Sequence, residues 1–165
     1  FYQQGNLIYF IGRRFIQVGE GKFKNPSVED FGLGKSMLTY NADSLAIYNK
    51  IYTVESIPNC LTIGNNSIAT MGKAISTYQL SMILRSPVKK VIIGLDDDAI
   101  FEAIKLGLKL VQKKKVKILN LPSGKDINDI GKNATKELEK SSPWLDYKAL
   151  LKMRLKYEKA PSMPY

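Results

Sequence analysis

The stretch Lys89–Ala99, KKVIIGLDDDA, decides how the chain is read, because an apolar run of strand length ends there in three consecutive carboxylates. Val91, Ile92, Ile93 and Leu95 form a continuous run rich in β-branched residues, the pattern of a strand buried on both faces. Asp96, Asp97 and Asp98 then stand at its carboxyl end, where open parallel α/β sheets bind their ligands. Alternation along an extended chain pairs Asp96 with Asp98 and turns Asp97 aside. Two carboxylates with no Cys or His beside them suit a hard divalent cation such as Mg²⁺, which takes oxygen ligands and keeps several waters. The competing reading makes one acid a helix cap and leaves the others solvated.

Downstream, Ile100, Ala103, Ile104, Gly107, Leu108 and Val111 recur at helical spacing, and Lys113 to Lys115 close that helix where its dipole favours cations. Val116 to Leu121 reads as a further strand, followed by PSGKDIND (122–129) with Asp126 just beyond it. Upstream, Asn41 or Asp43 is positioned to cap a helix through Lys50, and Ile51 to Val54 reads as a short buried strand closed by Glu55. Pro58 to Ile63 reads as a helix, Ser67 to Met71 as a strand, and Ile75, Gln79, Met82 and Ile83 as one face of a helix that stops before Pro87. Strands alternating with helices imply right-handed parallel crossovers, which bring their carboxyl ends to one edge of a sheet. Glu55, Asp96, Asp98 and Asp126 are therefore expected together, at a cost in repulsion unless a cation joins them.

Composition narrows the chemistry. The chain has 165 residues and no histidine, which removes His general bases and His-ligated metals. The single Cys60 excludes an internal disulfide and agrees with a reducing cytosol. No run is long and uniform enough to span a bilayer, no signal peptide is visible, and a start at Phe1 suggests a fragment of a larger protein. A net charge of +10 favours a polyanionic partner such as nucleic acid, with a merely basic soluble protein as the alternative.

Residues 1–40 combine short apolar runs, glycines and Pro26, the pattern of a small basic β-rich unit of hairpins without helix. Tyr9, Phe10, Phe15, Phe23 and Phe31 are interleaved there with Arg13, Arg14, Lys22, Lys24 and Lys35. Such a mixture serves base stacking and phosphate binding, or simply core packing. Residues 41–141 form the α/β domain, and 142–165 a basic helix capped by Ser142 and Pro143, running to about Lys156 and ending in a linker.

With these elements in order, Glu55 in YTVES, Asp96 and Asp98 in LDDDA, the segment NSIATMGKAISTYQL (66–80) and LPSGKDIND (121–129) resemble the Toprim domain of bacterial and phage DnaG-like primases. The Toprim fold is shared with topoisomerases and some nucleases. IGRRF, GKFKNP and GKSMLTY resemble the basic motifs that precede it in primases, with Arg13, Lys22 and Lys35 at the basic positions. The resemblance implies an RNA polymerase core that makes primers on single-stranded DNA from ribonucleoside triphosphates, with Mg²⁺ or Mn²⁺. It makes Glu55, Asp96 and Asp98 catalytic, the same acids with Asp126 metal ligands, and Arg13, Lys22, Lys35 and Lys125 the nucleic-acid or nucleotide contacts. It further implies a replicative helicase and a zinc module as partners outside this segment, and a cytoplasmic place at the nucleoid or in a phage-infected cell. Four positions depart from the pattern: Ser56 and Asn59 stand where glycine and aspartate are usual, Asn128 replaces an aspartate, and Lys73 replaces a small polar residue. A Toprim nuclease or topoisomerase, and a nucleic-acid-binding module without turnover, are the other functional readings.

Overall fold

The computed structural model describes residues 1–13, 23–24 and 26–158. Two short antiparallel hairpins come first, β1 (Tyr2–Gln3) with β2 (Asn6–Leu7) and β3 (Gly12–Arg13) with β4 (Phe23–Lys24). Helix α1 (Val28–Phe31) and a 3₁₀ turn over Lys35–Met37 follow, so the expectation that no helix occurs before residue 40 is corrected. Pro26 ends the extended chain, and Glu29 then falls where an acid suits a helix dipole.

From there helices and strands alternate. They are α2 (Ser44–Ile47), β5 (Lys50–Val54), α3 (Ile57–Ile63), β6 (Ser67–Ala69), α4 (Thr77–Arg85), β7 (Lys90–Gly94), α5 (Ile100–Leu110), β8 (Lys115–Ile118), α6 (Ile127–Ser141) and α7 (Tyr147–Glu158). The four longer-range strands make one all-parallel sheet in the order β6-β5-β7-β8. Helix α2 stops at Ile47 and not near Lys50, because the Asn49 carbonyl accepts from the backbone N–H of Lys89 (2.9 Å) and Lys90 (3.1 Å), which draws the chain into β5. Asp43 does not cap α2 with its side chain; it accepts from the Gln4 backbone N–H at 3.0 Å and ties the first hairpin to the sheet.

Period-two alternation divides the sheet between two cores. Ile51, Val91, Ile93 and Val116 face Ile83, Ile104, Leu110 and Leu150, whereas Tyr52, Val54 and Ile92 face Cys60, Ile63 and Ile127. Right-handed crossovers account for this: the chain turns one way from β5 to β6 and the other way through β7 to β8, which puts α3 on one face and α4 and α5 on the other. Among the described residues no helix is long and apolar enough to cross a membrane.

Two glycines set close approaches. A Cβ on Gly94 would stand 2.7 Å from Ile127 Cδ1, so the missing side chain lets the start of α6 lie directly on β7. At Gly107 a Cβ would meet Leu150 Cδ2 at 2.9 Å, and this contact seats α7 on α5.

Helix α7 begins at Tyr147 with Asp146 accepting from the Ala149 N–H at 2.7 Å. Ser142 instead ends α6, its Oγ 2.7 Å from the Leu138 carbonyl. The expected cap at Ser142 fails because residues just after it stay extended and bridge β8, where the Leu145 N–H donates to Val116 O at 2.8 Å. The lysine run is likewise different from expectation. Helix α5 ends at Leu110, Lys115 opens β8, and Lys114 is buried with its ammonium donating to the carbonyls of Ser86 (2.7 Å) and Val88 (2.6 Å).

Candidate active site

Register places the acids. Val54 lies opposite Gly94 in the parallel pair β5–β7, so Glu55 and Asp96 leave adjacent central strands within a residue of one another. The connections run to one side from β5 to β6 and to the other side from β7 to β8, and a crevice at such a switch point is where open α/β sheets bind ligands. Ile127, seated over Gly94, brings Asp126 to the same edge.

Glu55 is half-buried, and its buried Oε2 has no hydrogen-bond partner among the described residues. Burial pushes its carboxyl above the usual range, the negative charges of Asp96 and Asp98 add to the rise, and Lys73 opposes it. Asp96 is raised in the same way, first by burial and then by Asp126 and Asp98, against Lys73 and a hydrogen bond from Asn59. Four acids thus share one field.

Asp98 reaches that field by a different route from the one alternation suggests. The strand ends at Gly94, Asp96 keeps extended backbone (φ −61°, ψ 157°), and Asp97–Ala99 turn through a 3₁₀ bend into α5. Asp97 stands in that bend and not on the opposite face of a strand, and its Oδ2 accepts from Ser123 Oγ at 2.9 Å. Asp98 is exposed and ion-paired with Lys73. Asp126 caps α6, accepting from the Asp129 N–H at 2.8 Å while the Asp129 side chain accepts from the Asp126 N–H at 3.1 Å. Its charge still acts on Asp96.

The donor set is all oxygen, Glu55 and Asp96 are held above their usual range, and the buried Glu55 Oε2 is unpartnered among the described residues; these features fit a hard divalent cation. Among the described residues no group of three or more acids is placed to hold one metal ion, so a cation here would be met by at most two of these carboxylates together with water.

Basic residues flank the acids. Lys35 lines a cleft of about 250 Å³ with Glu55, Ser56, Met71 and Ile11. Lys125 lines another of about 340 Å³ with Asp96, Asp97, Asp98 and Asp126. Arg13 lies in β3, paired in register with Phe23, and Lys22 lies outside the described residues, as do Arg14 and Phe15.

A protein-family model described as Toprim-like matches residues 42–140, more than half of the chain. The chain belongs to the Toprim-like family. Among solved structures, this Toprim-like chain superposes on a DNA primase domain from Pseudomonas aeruginosa with a TM-score of 0.76 at 21% identity, over 97% of its own length and 54% of the other. The E. coli primase catalytic core gives 0.74 at 20% identity over 94% and 54%, and a DnaG primase catalytic domain bound to single-stranded DNA gives 0.73 at 21% over 94% and 53%. The Toprim-like chain spans about half the length of these structures, and the likeness establishes its fold. No curated protein matches it in sequence.

Three residues of the Toprim-like site were not legible as parts of it. Asn59, fully buried, donates to Asp96 Oδ1 at 3.4 Å and accepts from the Asn128 N–H at 3.0 Å, so it joins α3, the start of α6 and the acid. Ser56 caps α3 by accepting from the Asn59 N–H at 3.3 Å. Ser123 holds Asp97. The departures at Ser56 and Asn59 signalled altered charge; the Ser56 cap is local to α3, whereas the bonds of Asn59 to Asp96 and Asn128 depend on tertiary approach.

Proposed function

We propose that this chain is the catalytic core of a DNA primase, which copies single-stranded DNA into short RNA primers by metal-dependent nucleotidyl transfer. The observation that carries the reading is the convergence of Glu55, Asp96, Asp98 and Asp126 at the carboxyl ends of adjacent parallel strands in a Toprim-like chain with the fold of primase cores. In this reaction a primer 3′-hydroxyl attacks the α-phosphate of a ribonucleoside triphosphate and pyrophosphate leaves. Mg²⁺ or Mn²⁺, when bound, supplies a lowered pKa for the hydroxyl and neutralises phosphate charge.

Glu55 would hold one cation through its unpartnered oxygen, and its raised carboxyl suits it to help take up the hydroxyl proton. Asp96 and Asp98 would hold the cations that meet the triphosphate, with Asp126 beside Asp96. Lys35, in the cleft next to Glu55, and Lys125, in the cleft next to Asp96, would bind phosphates, together with Arg13 and Lys22 on the preceding segment. The substrate and template place such a protein in the cytoplasm, and a helicase and a zinc module are the partners to seek. Incubating the full-length protein with single-stranded template, ribonucleotides and Mg²⁺ or Mn²⁺ tests the reading. Primers that disappear in Asp96→Asn support it; nicked DNA assigns a nuclease, and binding without products assigns a non-catalytic module.

A further inference from the structure

Lys73 differs from the other basic residues of the site because its ammonium is already bound to one of the acids. Its Nζ pairs with Asp98, and its charge also acts on Glu55 and Asp96. The loop that carries it is fixed at both ends. Thr70 Oγ1 lies 3.2 Å from the Val54 carbonyl and 2.9 Å from that of Gly72. At the other end Ser76 and Gln79 cap α4 reciprocally, and the buried Gln79 amide donates to the carbonyls of Leu38 (2.6 Å) and Thr70 (2.9 Å). Met71, between them, holds φ +61°, a region that a non-glycine residue enters only where its surroundings impose it.

The anchor is therefore rigid and the head is not. The Lys73 side chain is 47% exposed and Asp98 67%, and a four-carbon stem lets the ammonium leave its partner without moving the loop. Asp98 lies in the 3₁₀ bend after β7 and not in a strand, and both members of its ion pair are exposed, so the pair adds little to the stability of the fold.

We propose that Lys73 is a tethered counter-ion: it holds the place of one divalent cation in the resting site, competes with that cation for Asp98, and moves to the phosphates of the nucleoside triphosphate when the cation enters. The inference rests on the nucleotidyl-transfer reading and adds a coupling to it. Cation and triphosphate each favour the departure of Lys73 from Asp98, so each tightens the binding of the other, by an equal factor in both directions. An ammonium has three donors and can exchange a carboxylate for a phosphate oxygen without loss of charge pairing.

Mn²⁺ binding followed by electron paramagnetic resonance tests this, without and with a non-hydrolysable ribonucleoside triphosphate analogue. Lys73→Met should bind Mn²⁺ alone about two- to fivefold more tightly than the parent, the range of one exposed ion pair. The tightening that the analogue produces should shrink in Lys73→Met and persist in Lys73→Arg. Unchanged or weaker Mn²⁺ binding by Lys73→Met, or undiminished coupling, overturns the inference. Asp96→Asn separates this failure from a failure of the functional reading. If Asp96→Asn binds Mn²⁺ like the parent, the metal assignment falls. If it loses Mn²⁺ while Lys73→Met is unaltered, only the role of Lys73 falls. Urea midpoints of the variants establish that each is folded.

Discussion

Replacing Asn59 with Asp puts the geometry at the centre of the site to a quantitative test. Asn59 is fully buried, its Nδ2 donates to Asp96 Oδ1 at 3.4 Å, and its Oδ1 accepts from the Asn128 N–H. Aspartate keeps the second bond and turns the first into a contact between two carboxylates. At that 3.4 Å separation, with an effective dielectric constant of about 20, two unit charges repel by about 5 kcal/mol. Proton uptake is the escape, and keeping a proton at pH 7 on a carboxyl of ordinary pKa costs about 4 kcal/mol. The cheaper route sets the ceiling, and partial hydration of Asp96 lowers it, so Asn59→Asp should lose about 2–4 kcal/mol at pH 7. The sign of the pH dependence follows from linkage. A carboxyl raised in the folded state binds more protons there than in the unfolded chain, so the loss grows as pH rises above the ordinary carboxylate range and fades below it. Urea unfolding at pH 4.5 and pH 7.5 should show a variant close to the parent at the lower pH and clearly weaker at the higher. Mg²⁺ at pH 7.5 should restore part of the difference. Equal midpoints at pH 7.5, or a loss independent of pH, would refute the placement of Asn59 against Asp96.

Asp97→Asn should retain most primer synthesis, whereas Asp96→Asn and Asp98→Asn lose it, because Asp97 is engaged by Ser123 while Asp96 and Asp98 act on Glu55; equal losses in a primer-extension assay would contradict this. Gly94→Ala should cost about 1–3 kcal/mol by forcing Ile127 Cδ1 away from β7. Ile127→Val removes that methyl, so in a double-mutant cycle by urea unfolding the pair should cost less than the sum of the single changes. Changing Arg13, Lys22 and Lys35 together to Ala should flatten the salt dependence of single-stranded DNA binding, by about 0.7 in log–log slope for each phosphate that is no longer neutralised. The control is Lys109, Lys113 and Lys115, which are exposed, and it leaves Lys114 in place because its buried ammonium holds two carbonyls. Fluorescence anisotropy with equal slopes for the two triple variants would remove the basic amino-terminal segment from the template path.

The sheet was legible because its signals are local. Runs rich in β-branched residues at Ile51–Val54 and Val91–Ile93, helical spacing from Ile100, and the acids Glu55 and Asp96 just after two of the strands need only a few neighbouring residues to be seen. Parallel topology then follows from alternation of the two element types, and topology alone carries Glu55 and Asp96 to one edge. Element ends were less legible where a distant segment decides them. Asn49 ends α2 through the amides of Lys89 and Lys90, and the bridge from Leu145 to Val116 delays α7 to Tyr147. Neither partner lies within the window that propensity reads.

The same division runs through the site and explains why its acids were found and their partners were not. An acid after a strand is placed by the strand. Its partner arrives on another segment, 25 residues away for Lys73 and Asp98, 26 for Ser123 and Asp97, and 37 for Asn59 on α3 and Asp96. Those partners settle what the acids do. Three consecutive aspartates have equivalent chemistry, yet Ser123 donates to one, Lys73 neutralises another, and Asn59 donates to the third, which acts on a glutamate whose buried Oε2 has no hydrogen-bond partner among the described residues. A cation entering here would meet a buried Glu55 oxygen that has no hydrogen-bond partner among the described residues, and an Asp98 already paired with Lys73.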